Sequence, residues 1–235
     1  MIHINADIHH DTDRKTGRQE TSTMQFDRKD LLLYAVTDRK WVGTQTLEEQ
    51  VEAAIKGGAT MIQIREKKMA QEEFLQEARR IRSITKKYQI PLIINDNVEL
   101  AIACDADGVH VGQSDMEACQ AREKLGRDKI VGVTARTVEQ AKTAQKNGAD
   151  YLGVGAVFGS STKLDAKPLS KEDLRTIAQS VSIPIVGIGG IDQNNMLELE
   201  GTGIAGVAVV SGIFGQKDIE AAAKIMADQA QKLFS

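Results

Sequence analysis

Gln63, Arg65 and Lys67 occupy alternate positions in the run Gln63-Ile64-Arg65-Glu66-Lys67. Side chains two residues apart on a strand leave the same face, so this run aims an amide and two cations at one place. Arginine offers a planar fork of donors and lysine a compact charge, a pair suited to the oxygens of a polyanion such as pyrophosphate. The plain alternative is a strand end with a charged tip in water. Asp96 and Asp115 each follow a short apolar run. Two carboxylates on neighbouring strand ends, facing cations placed for phosphate, fit Mg2+ held by one or two carboxylates, with waters and substrate phosphate completing the octahedron. Each also precedes a helical pattern, and N-capping is the competing use, although a cap can share its carboxylate with a metal. A third group, Gly187-Ile188-Gly189-Gly190-Ile191 with Val210-Ser211-Gly212, lets backbone N–H groups approach a phosphate monoester. Glycine also serves turns that bind nothing. A pyrophosphate on one side and a monophosphate on the other describe an enzyme with two phosphorylated substrates.

These residues must be carried by a regular framework, and the chain supplies one. From Leu31 onward, short apolar runs alternate with amphipathic stretches, the pattern of repeated βα units. Strands are expected over 31–36, 60–64, 91–94, 108–111, 130–133, 151–154, 184–188 and 206–210. Helices are expected over 46–57, 71–88, 97–103, 115–125, 137–147, 170–180, 192–199 and 217–233. Continuous apolar strands such as Leu92-Ile93-Ile94 imply burial on both faces, as in a parallel sheet covered by helices. Punctuation such as Gly57-Gly58-Ala59 and Gly148-Ala149-Asp150 fits left-handed helix stops. Eight such units form an α/β (β/α)8 TIM barrel, whose chemistry sits at the C-terminal strand ends. Every expected strand tip is polar or glycine-rich, and Arg65, Lys67, Asp96, Asp115 and Lys163 fall on one rim.

Composition sets the outer limits. The 235 residues are 41% hydrophobic, enough for one sizeable core, and a single barrel domain over 24–235 accounts for them. A net charge of −3 argues against a nucleic-acid or membrane-surface partner. No apolar run reaches bilayer-spanning length and no signal-peptide pattern opens the sequence, so a cytoplasmic protein is expected. Cys104 and Cys119 suggest neither a disulfide framework nor a zinc site, and both read as packed thiols. Residues 1–23 are polar enough to read as a disordered extension, with Met24 an alternative start. Outside that extension the sole histidine is His110, in a run where a barrel-interior role competes with catalysis. Without an evident Ser-His or Cys-His pair, the chemistry should rest on electrostatic stabilisation of a leaving group.

Taken together, the motifs resemble the thiamine phosphate synthase family from about Leu31 to the C-terminus. The resemblance rests on Tyr34-x-Val36-Thr37-Asp38, Gln63-x-Arg65-Glu66-Lys67, Ile94-Asn95-Asp96, the run 106–115, the loop Ser160-Ser161-Thr162-Lys163, Ile188-Gly189-Gly190-Ile191 and Val209-Val210-Ser211. It implies condensation of hydroxymethylpyrimidine diphosphate with hydroxyethylthiazole phosphate, giving thiamine monophosphate and pyrophosphate. Matched motif positions imply that Gln63, Arg65, Glu66, Lys67, Asn95, Thr134 and Lys163 hold the pyrimidine diphosphate, and that Arg65, Lys67, Thr134 and Lys163 act in catalysis. Asp96 and Asp115 would bind Mg2+. Ser160, Ser161, Thr162, Gly189, Gly190, Val210 and Ser211 would hold the thiazole phosphate. Two departures stand out. Many members read Ser-x-His where this chain has Thr134-Ala135-Arg136, which keeps a hydroxyl but changes the third group. Ser160 replaces the first threonine of a Thr-x-Thr, again keeping a hydroxyl. A thiazole tautomerase on the same fold and a non-catalytic thiamine phosphate-binding barrel are the alternatives. The expected partners are small phosphorylated substrates and, as an open possibility, further copies of the chain.

Overall fold

The computed structural model describes residues 26–159 and 168–235. The expected 1–23 extension and the expected site residues Ser160, Ser161, Thr162 and Lys163 lie outside the described residues.

The strands are β1 (Leu33–Val36), β2 (Met61–Ile64), β3 (Leu92–Asn95), β4 (Gly108–Val111), β5 (Ile130–Ala135), β6 (Tyr151–Gly155), β7 (Ile185–Ile188) and β8 (Gly206–Val209). All pair in parallel in chain order, and β1 closes onto β8 through Leu33–Val207 and Ala35–Val209. Alternation divides the strand residues between two apolar layers. Tyr34, Val36, Met61, Ile93, Ile130, Tyr151, Val186 and Ala208 share one buried cluster, which fills the lumen. Leu33, Ala35, Ile62, Ile64, Leu92, Ile94, Val131 and Leu152 join the outer cluster, where Val51, Phe74 and Ile81 of the surrounding helices cover them.

The helices are α1 (Leu47–Lys56), α2 (Gln71–Tyr88), α3 (Val98–Ala103), α4 (Ala118–Leu125), α5 (Val138–Lys146), α6 (Lys171–Gln179), α7 (Ser211–Phe214) and α8 (Ile219–Phe234). Several starts carry side-chain caps, as at Thr46, whose hydroxyl accepts from the Glu49 N–H while the Glu49 carboxylate accepts from the Thr46 N–H. The expected left-handed stops are present at Gly58 (φ 107°) and Gly148 (φ 88°). The aspartates that follow such stops have a further use. Asp107 accepts from the Leu92 N–H at 2.8 Å and binds Arg82 through both carboxylate oxygens, and Asp150 accepts from the Val131 N–H at 2.7 Å and from Arg122. These pairs tie the N-terminal ends of the strands, the face a barrel uses for stability.

Three expectations are corrected here. Residues 192–199 form only a 3₁₀ turn at Met196–Leu199, a length too short to complete an α-helix. A short helix, α7, begins directly after β8, where none was expected. Cys119 is exposed, while Cys104 is buried as expected; position 119 on α4 is simply turned outward.

Candidate active site

The C-terminal ends of β1, β2 and β3 bring the first group of charges together. Strand β2 stops at Ile64, so alternation carries only Gln63 inward, and the loop path places Arg65 and Lys67. The Arg65 N–H donates to Thr37 Oγ1 at 3.1 Å, and its guanidinium lies 3.8 Å from the Asp38 carboxylate. Lys67 Nζ donates to Asp96 Oδ2 at 2.7 Å. Asp96 itself sits at φ 62°, uncommon for a residue with a Cβ, with its N–H donating to the His110 carbonyl at 2.8 Å.

Neither Asp96 nor Asp115 caps a helix. Asn97 is the cap of α3, accepting from the Leu100 N–H at 2.9 Å. Helix α4 begins three residues beyond Asp115, after Glu117, with no side-chain cap. The Asp115 carboxylate instead accepts from the Gly112 N–H at 2.8 Å. Burial raises the Asp115 pKa and the neighbouring Asp96 adds to the rise, against the opposing Gly112 N–H. Burial would also raise Asp96, but the Lys67 ammonium outweighs it and the net shift is downward. Two neighbouring carboxylates, both spared from capping and one of them paired with Lys67, make a donor pair that suits one hard cation. Among the described residues no cluster of three or more His, Cys, Asp or Glu offers a complete protein cage. Such a pair fits Mg2+, which keeps waters and takes substrate phosphate oxygens.

Glu66 has a different place from the one expected. Its carboxylate accepts from Arg39 Nε at 2.7 Å, its side chain is 4% exposed, and Arg39 also binds the buried Glu77 of α2. Burial raises the Glu66 pKa against the opposing Arg39. This carboxylate braces the loop after β1 against the loop after β2 and is committed to a guanidinium.

Gln63 and Thr134 meet the lumen. Gln63 Nε2 donates to the Tyr34 hydroxyl at 2.5 Å, and Thr134 Oγ1 lies 3.0 Å from His110 Nε2. Asn95 pairs in register with His110 at the top of β3. His110 is therefore a barrel-interior residue. Tyr34 enters the sequence reading only as part of a motif and Tyr151 only within the expected strand 151–154, although inward parity on β1 and β6 marks both as lumen residues. Arg136, the departure after β5, donates through Nη1 to the Gly155 carbonyl at 2.6 Å, bridging the ends of β5 and β6.

On the other side of the mouth, Gly189 (φ 103°) and Gly190 (φ 68°) follow β7 in left-handed backbone. A Cβ on Gly189 would lie 2.6 Å from Ala156, and one on Gly190 would lie 2.7 Å from the Phe158 carbonyl oxygen. Only glycine fits this turn. Val210 and Ser211 start α7 beside it, both partly exposed. The structure thus brings together Gln63, Arg65, Lys67, Asn95, Asp96, Asp115 and Thr134 on one part of the rim and Gly189, Gly190, Val210 and Ser211 on another.

A closed parallel barrel with cations, paired carboxylates and glycine turns at its C-terminal rim defines a barrel enzyme that handles phosphorylated substrates. Residues 33–213 match the family profile described as thiamine monophosphate synthase. The thiamine-phosphate synthase of Ruminiclostridium cellulolyticum is 55% identical over 195 residues, 83% of this chain and 93% of that protein. That of Clostridium acetobutylicum is 49% identical over 203 residues, covering 86% and 96%. The solved thiamine phosphate pyrophosphorylase of Pyrococcus furiosus superposes with a TM-score of 0.82 at 37% identity, over 88% of this chain and 99% of that one. The chain belongs to the thiamine monophosphate synthase family; it is a transferase, and its reaction is the condensation that yields thiamine monophosphate.

Proposed function

We propose that the rim performs this condensation by stabilising a departing pyrophosphate. The observation that carries the reading is the Lys67–Asp96–Asp115 cluster, in which two carboxylates free of helix caps stand beside an ammonium. Arg65, Lys67, Asn95 and Thr134, with Gln63 at the ring end, hold the pyrimidine diphosphate. Lys163 joins them from outside the described residues. Asp96 and Asp115 would hold Mg2+, which when bound supplies positive charge to the diphosphate oxygens. Gly189, Gly190, Val210 and Ser211 receive the thiazole phosphate through backbone N–H groups, with Ser160, Ser161 and Thr162 assigned to the same phosphate from outside the described residues.

The thiazole nitrogen already carries its lone pair, so no base is needed to create the nucleophile. Cations around the diphosphate favour breaking the carbon–oxygen bond first, leaving a pyrimidinylmethyl cation that the nitrogen captures. The carbon–nitrogen bond forms with that lone pair, and the bonding pair of the broken bond leaves with pyrophosphate. No helix among the described residues is long and apolar enough to cross a membrane, and we place the enzyme in the cytoplasm on its substrates and its unpaired thiols. The test is release of pyrophosphate by purified protein given both substrates with Mg2+. One pyrophosphate for each thiamine monophosphate is expected; product formed without pyrophosphate, or no product, would refute the reading.

A further inference from the structure

The lumen contains a chain of polar groups that the condensation as described does not use. Gln63 Nε2 donates to Tyr34 Oη at 2.5 Å, and Tyr34 Oη lies 2.8 Å from Tyr151 Oη. Tyr151 Oη lies 3.0 Å from His110 Nδ1, and His110 Nε2 lies 3.0 Å from Thr134 Oγ1. The chain crosses from β2 to β5 through the barrel interior. Its surroundings are shaped for it: a Cβ on Gly132 would strike the Tyr151 ring at 2.2 Å, and one on Gly153 would lie 3.0 Å from His110 Cε1. Both tyrosines are fully buried, a setting in which an unmatched hydroxyl proton is costly.

Each hydroxyl has one proton, and this fixes the order of donors. Tyr34 accepts from the Gln63 amide, so its proton goes to Tyr151. The Tyr151 proton then goes to His110 Nδ1, and His110 carries its own proton on Nε2, facing Thr134. Thr134 has accepted, so its proton points out of the chain. For a neutral His110 only one other order satisfies every group, and it requires the Gln63 amide turned over, so the two ends are coupled; an imidazolium needs the turned amide as well, because with Gln63 donating it leaves a buried tyrosine proton without an acceptor. Diphosphate oxygens accept and do not donate, so a Thr134 that faces them must donate. That requirement selects the same order as the amide placement does.

We propose that Tyr34, Tyr151 and His110 form a one-way hydrogen-bond relay that fixes Thr134 as a donor to the diphosphate and Gln63 as an acceptor across the lumen. These three are positioning residues, and the proposal rests on the reading that Thr134 faces the diphosphate. The acceptor left at Gln63 Oε1 suits a ring substituent that donates, such as an amino group.

Nitrogen-15 NMR of the full chain with labelled histidine, with His110→Asn used for assignment, reads the relay without substrate. A neutral His110 with its proton on Nε2 is expected, and Tyr151→Phe should release it into a mixture of tautomers. A proton on Nδ1 in the wild type, or no change in Tyr151→Phe, would overturn the proposal. Tyr34→Phe cuts the chain one link earlier and serves if Tyr151→Phe does not fold. In kinetics, Tyr151→Phe should lower kcat/KM for the pyrimidine diphosphate by about tenfold, the scale of one lost hydrogen bond. It should cost nothing further in a Thr134→Val background, because the relay acts through that hydroxyl. Full additivity of the two losses would overturn the coupling. Unchanged activity in Thr134→Val would refute the diphosphate contact and the relay's part in the reaction, while the NMR separately reports the proton order.

Discussion

At the residue scale, the proposed chemistry belongs to groups that neutralise a leaving group. Lys67→Ala should lower turnover by roughly 10²-fold or more, the scale of losing one preorganised stabilising group, with the circular dichroism spectrum retained because Lys67 is exposed on the rim. Turnover within a factor of two of the wild type would remove Lys67 from the cluster. Asp96→Asn and Asp115→Asn should each weaken the dependence of turnover on Mg2+ concentration, raising the half-saturating concentration. An unaltered Mg2+ titration would return both carboxylates to a structural role. The charged residues of this cluster were legible in the sequence because strand ends of a barrel converge. Glu66 shares a motif with Arg65 and Lys67, yet its carboxylate turns to Arg39. Its partner Arg39 lies far away in sequence, and local pattern carries no signal of such a pair. The capping alternative for Asp96 failed for a local reason: Asn97, one residue later, has the side chain at the cap position.

At the scale of elements, the boundaries that matter are those that present backbone to substrate. Asn97→Ala removes the cap of α3 and should cost about 1 kcal/mol of stability, read in denaturant unfolding, with turnover altered less than by the Asp96 change. Gly189→Ala meets both a positive φ of 103° and a contact of 2.6 Å to Ala156. We expect it to raise KM for the thiazole phosphate far more than KM for the pyrimidine diphosphate; an equal rise in both would show general damage to the mouth. The strands were legible because burial on both faces makes each a continuous apolar run. The 192–199 segment was not, because its apolar spacing is shared by an α-helix and by a loop closed with a 3₁₀ turn that buries Met196 and Leu199. Helix α7 escaped notice since Ser211-Gly212 reads as a turn and four residues are too few to show a period.

At the scale of the whole molecule, one closed sheet with a single rim brings two phosphorylated substrates together. The family match begins at residue 33, after the 1–23 segment. Deleting residues 1–23 should leave the melting temperature and turnover nearly unchanged, and a large loss of either would assign that segment a part in the barrel or the site. The central claim is that the rim drives departure of pyrophosphate before the new bond forms. Single-turnover rates for a pyrimidine diphosphate whose ring methyl is replaced by an electron-withdrawing group of similar size test it most directly. If a cation forms, the chemical step slows by orders of magnitude while the dissociation constant of the diphosphate changes little. Equal rates for the two substrates would contradict the account and favour a concerted displacement by the thiazole nitrogen.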